Sequence, residues 1–144
     1  MKILPLLLLS ALTSISAQAA AVHSCEGLDS VGNLVGNVRS YAQGAIRVAY
    51  VSTEEPAAAP DHILVFVADN EMGQTCYAVS ASKDGMGFAG VEMPAIKSDY
   101  DAAKGLLVTI PVSKYDPDTG AVPGGEVKIR INRTKAEGKQ VSLE

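Results

Sequence analysis

The feature that most constrains this chain is the pitch of its apolar residues. It is two, repeated in short runs separated by turn-forming residues. Val127, Ile129 and Ile131 alternate with Lys128, Arg130 and Asn132. Successive strand side chains point to opposite faces, so this spacing sets an apolar row inward and a polar row outward. Leu106, Val108, Ile110 and Val112 repeat the pattern, and so do Ile46, Val48 and Tyr50 against Arg47 and Ala49. Residues 62–68 are almost continuously apolar from Ile63 to Val67, as in a strand covered on both faces.

Turn chemistry falls between these runs. Pro56 and Pro60 break the chain after Glu54 and Glu55. Asp69 to Gly73 and Asp84-Gly85 are hairpin signals, and Asp116-Pro117-Asp118-Thr119-Gly120 is a strong turn. The strands expected are 45–53, 62–68, 74–82, 86–93, 95–100, 106–115, 127–132 after Gly124-Gly125, and 139–143. Glycines weaken or bulge the 86–93 run, and Pro111 suggests that 106–115 is an edge strand or carries a bulge.

Residues 28–41 read two ways. Leu28, Val31, Leu34, Val35, Val38 and Tyr41 fit one helical face behind an Asp29 cap. Gly32 and Gly36 would each cost a helix interior about 1 kcal/mol, and their Gly-Asn pairs suit turns and a short strand. The strand-like reading is preferred. The fold class predicted is all-β: an antiparallel β-sandwich or barrel of about seven to nine short strands with one disulfide.

The N-terminus carries different information. Lys2 precedes an apolar run from Ile3 to Leu12, broken only by Pro5 and Ser10, and small residues follow, ending in Ala17-Gln18-Ala19. That order matches a secretory signal peptide. The run is shorter than the roughly 20 residues a membrane span needs. The expected organisation is a signal peptide over 1–19 and a single β-domain over 20–144, exported to the periplasm or the extracellular space. Losing Lys2 would move the formal charge from −4 to −5. An acidic balance speaks against a nucleic-acid partner.

Cys25 and Cys76 are the only cysteines. In an oxidising compartment they are expected to form a disulfide, whose loop of roughly 50 residues would add about 4 kcal/mol. The stretch from Val22 to Cys25 faintly resembles a lipidation box, but His23 fits poorly there and the apolar run ends well before it. Two distant cysteines and two histidines make a thin zinc set, so neither metal nor cofactor is predicted.

Candidate chemistry is sparse. His23 and His62 are the only residues suited to act as bases near neutral pH. His62 follows a proline loop and opens a buried strand; His23 lies near the expected mature N-terminus. Ser80-Ala81-Ser82-Lys83 spells Ser-x-x-Lys, but at a strand end and without partner motifs. Asp116, Asp118 and Gly120 hint at a calcium loop, yet Gly120 and Val127 stand where further acids belong. Asn132-Arg133-Thr134 spells a glycosylation acceptor.

Charge is asymmetric. Residues 48–82 carry five acids and no Lys or Arg, whereas Lys128, Arg130, Arg133, Lys135 and Lys139 face only Glu137. Lys128, Arg130, Arg133 and Lys135 are the candidate partner-binding surface. The alternative is a solvated strand face whose lysines discourage edge-to-edge pairing. The expected function is a non-enzymatic binding or inhibitor-type module with a protein or other extracytoplasmic ligand. Alternatives are a structural subunit of a surface assembly and a small hydrolase using His62.

Overall fold

A computed structural model describes residues 19–28, 34–69, 71 and 73–144. The expected leader other than Ala19, and residues 29–33 of the ambiguous segment, lie outside them. Ten strands are present among the described residues: β1 Ala21–Ser24, β2 Leu34–Tyr41, β3 Ile46–Ser52, β4 Asp61–Ala68, β5 Gln74–Ser80, β6 Gly90–Val91, β7 Lys97–Asp101, β8 Gly105–Ser113, β9 Gly124–Ile131 and β10 Val141–Leu143. Nine of them fall in the expected segments, and β2 gives 34–41 the strand form. The tenth is β1, which no local pattern announces.

Two antiparallel sheets face each other. One runs β1-β5-β4-β3-β2, and the other β10-β9-β8, with β6 and β7 sharing the far flank of β8. The period-two rows explain the arrangement. Ile46, Val48, Ile63, Val65, Val67 and Val79 of the first sheet meet Leu106, Val108, Ile110, Val127, Ile129 and Ile131 of the second in one core. The result is a sandwich.

One expectation changes, and one is borne out with an addition. Pro111 is in a strand paired on both flanks, opposite Glu126 of β9, with no register shift. Its carbonyl accepts the Glu92 N–H at 3.0 Å. The missing proline N–H faces that same flank, in the gap between β6 and β7, so no ladder bond is lost. The 86–93 segment contributes only two strand residues, yet Phe88 within it is fully buried and exchanges backbone bonds with Asp61. Gly87 permits this: a Cβ there would stand 2.4 Å from the Ala59 carbonyl oxygen.

The disulfide forms where the register puts it. Ser24 lies opposite Tyr77, so the next pair along β1 and β5 is Cys25 and Cys76, which are joined with Cα atoms 5.6 Å apart. Cys25 and Leu28 then join Ala49, Val51, Leu64 and Ala78 in a smaller apolar cluster on the outer face of the first sheet.

Candidate functional site

Two cross-strand rows meet at one end of the sandwich. Tyr41 pairs with Ile46 in the first sheet. Tyr100 pairs with Leu106, and Leu106 with Ile131, in the second. Between the rows lies a cleft of about 570 Å³, closed by the 102–105 turn and by Asn132, Arg133 and Thr134. Ile46, Leu106 and Ile131 are buried in its floor. Its size and apolar floor suit a small ligand, since such sites typically span about 300–1,000 Å³.

The turns that shape the cleft are fixed locally. Asp101 Oδ1 accepts the N–H groups of Ala103 and Lys104, each at 2.8 Å. Those bonds hold its carboxyl below the usual range. Gly105 has φ +88°, and a Cβ there would stand 2.3 Å from the Ile131 carbonyl oxygen. The Asn-Arg-Thr triplet is folded into the cleft wall. Asn132 Nδ2 donates to the Ala103 carbonyl at 3.3 Å, and its Oδ1 accepts from the Thr134 N–H and hydroxyl. Asn132 is buried.

The aromatic walls differ. Tyr41 is half-buried, and burial raises its phenol above the ordinary value against the opposing effects of Ser98 and Arg39. Tyr100 is 71% exposed, so its ring stands open to solvent at the cleft rim.

The four cations proposed as a surface separate into two pairs. Lys128 lies 3.2 Å from Glu126 on the outer face of β9. Arg130 donates through Nε and Nη2 to the two carboxylate oxygens of Glu144 at 2.8 and 2.9 Å, and through Nη1 to the Gly105 carbonyl. Asp99 and Asp101 add their charges beside it. Arg133 and Lys135 lie instead in the exposed 133–139 loop, where neither has an acidic partner among the described residues. Arg133 alone of the four lines the cleft.

A second polar constellation sits at the other flank of the first sheet. Ile63 opposes Val79, so His62 opposes Ser80 one step on; Ser80 in turn opposes Ala21 of β1, two residues before His23. The Ser80 hydroxyl lies 2.8 Å from His62 Nδ1 and 2.7 Å from His23 Nε2, and His23 Nδ1 donates to the Ser24 carbonyl at 2.9 Å. One proton arrangement satisfies the row: His62 Nδ1–H donates to Ser80, whose hydroxyl donates to His23 Nε2. Burial, then the neighbouring His23 ring, lowers the His62 pKa against an opposing pull from Asp61. Tyr50 donates to that Asp61 at 3.1 Å, but from the core side of the sheet.

This grouping places Ser80 of the Ser-x-x-Lys spelling beside both histidines. Ser80 is fully buried, so its oxygen offers no approach to a substrate carbonyl. The calcium-like segment is also committed locally: Asp116 Oδ1 accepts the Asp118 N–H and Oδ2 the Thr119 hydroxyl. Among the described residues, no three His, Cys, Asp or Glu side chains converge on a metal-sized site.

Residue spacing did not reveal the cleft, because its walls come from three stretches far apart in sequence, 41–46, 100–106 and 131–134. The usable signal was partial: Tyr100 sits directly before a turn, and Arg133 directly after the cleanest alternating strand. No protein-family model, curated protein or solved structure matches the chain.

Proposed function

We propose that this protein is an exported, non-enzymatic binding or inhibitor-type module that takes its ligand in the cleft between Tyr41 and Tyr100. The cleft carries the reading: it joins a buried apolar floor to an exposed ring and a cation, the usual composition of a recognition site. The leader-like start and the Cys25–Cys76 disulfide support export. Among the described residues no helix is long and apolar enough to cross a membrane. The burial of Ser80 counts against the hydrolase alternative.

The test is titration of the purified protein with N-phenyl-1-naphthylamine, a neutral apolar fluorophore. Saturable binding of one molecule per chain is expected, weakened several-fold by Tyr100→Ser. That substitution touches a largely exposed ring and should leave the unfolding midpoint unchanged. Absence of saturable binding, or binding indifferent to Tyr100→Ser, overturns the reading.

The structural-subunit alternative has one observation in its favour: β2 is an edge strand with Val38 50% exposed. Sedimentation across a wide concentration range tests it, and a monomer throughout rejects self-assembly through that edge.

A further inference from the structure

We infer that the cleft selects a small amphiphilic anion, with an apolar aromatic or acyl body on the floor and an acidic group at Arg133. This rests on the cleft being a ligand site, and it adds the charge and shape of what binds there.

The polar inventory of the cleft points to the anion. The Asn132 amide and the Thr134 hydroxyl are bonded to each other, and the Ala103 carbonyl accepts from Asn132. The acid nearest the rim, Asp101, already holds two turn N–H groups and feels the positive charges of Lys104 and Arg130. Among charged side chains, Arg133 is what remains. It is exposed, lines the cleft, and has no acid partner among the described residues, whereas Lys128 and Arg130 both have one. A guanidinium can meet a carboxylate, sulfonate or phosphate with two parallel N–H donors.

The surrounding charge agrees. The 133–139 loop holds Arg133, Lys135 and Lys139 against Glu137, a balance of +2 in a chain whose total is −4. Glu137 is itself engaged, accepting the Thr75 hydroxyl at 3.2 Å. A local positive field in an acidic protein attracts an anion to this end of the sandwich while the rest of the surface repels it.

The apolar half of the ligand follows from the floor. Ile46, Leu106 and Ile131 offer no hydrogen-bonding side chain, so a fully polar anion such as a sugar phosphate would lose water there without replacement bonds. Tyr41 and Tyr100 give such a body two ring faces to pack against.

A matched pair of fluorophores separates this inference from the reading beneath it. 8-Anilinonaphthalene-1-sulfonate carries the same ring system as N-phenyl-1-naphthylamine plus one sulfonate. The purified protein is expected to bind the sulfonate about tenfold more tightly than the neutral probe, the scale of one charge-assisted contact at a wet rim. Arg133→Gln should erase that preference, bringing the two probes to the same affinity, and Lys135→Gln should reduce it only slightly. Equal affinity for the two probes would refute the anion preference with the cleft still standing, as would an Arg133→Gln effect matched by Lys135→Gln. Saturable binding of neither probe would remove both the cleft and its selectivity.

Discussion

Replacing Cys25 and Cys76 together by alanine should cost this fold a large share of its stability. The bridge closes a sequence separation of 51 residues. Loop closure of that size removes about 14 cal/mol/K of chain entropy from the unfolded state, or about 4 kcal/mol at 25 °C. Alanine also leaves a small void, because Cys25 is buried in the outer apolar cluster; that adds on the order of 1 kcal/mol. Domains of this size have a net stability of about 5–15 kcal/mol, so the double variant sits near the edge of folding. Urea unfolding followed by far-ultraviolet circular dichroism reads the effect, since the chain lacks tryptophan. With a slope of about 2 kcal/mol per molar urea, the midpoint should fall by roughly 2 M. The β1 amides should also exchange hydrogen faster than those of β4, because β1 is an edge strand paired with β5 alone. A loss below about 1 kcal/mol, with β1 still protected, would refute the entropic account.

Gly105→Ala should destabilise by more than about 2 kcal/mol, since it combines a left-handed backbone with a Cβ driven into the Ile131 carbonyl oxygen. Thermal unfolding measures it, and a change below about 0.5 kcal/mol would mean that the 102–105 turn is redundant. For pH, the sign follows from His62. Its folded pKa lies below the ordinary 6.5, so the fold prefers the neutral ring. That contribution is complete above about pH 6.5 and is lost as the pH falls through 6.5 toward the lower folded value. Urea midpoints taken between pH 8 and 5 should therefore drop on acidification, and His62→Gln should flatten the drop above pH 5. An identical slope in the variant would exclude His62 as its source.

The sandwich was largely legible because β3, β4, β8 and β9 state their faces in consecutive residues. The apolar rows of β3, β8 and β9 are set by local alternation, and β4 is apolar on both faces because both are covered. What failed locally was whatever depended on a neighbour. β1 has four residues and borrows its strand form from β5 and the bridge. Pro111 argued for an edge, but a gap on one flank of β8 accommodates it inside the sheet. Phe88 is fully buried in a stretch whose glycines suggested weakness. The His23, Ser80 and His62 row follows from the registers of three strands, and the cleft from the ends of two sheets. Neither has a period, so neither shows in residue spacing. The basic stretch was visible as composition, but the separation of Lys128 and Arg130 from Arg133 and Lys135 was decided by where β9 ends.

The placement of β1 also sets an order in time. β2, β3, β4 and β5 are consecutive neighbours and can zip together as the chain emerges, hairpin after hairpin. β1 is synthesised before all of them, yet its seat is the far side of β5, the last of the four to be made. Its few residues find their ladder partner only once β5 exists. With just two cysteines there is one intramolecular pairing to make. Oxidation and the docking of β1 on β5 therefore bring the same two segments together, so a bridge made early holds the first strand beside its seat.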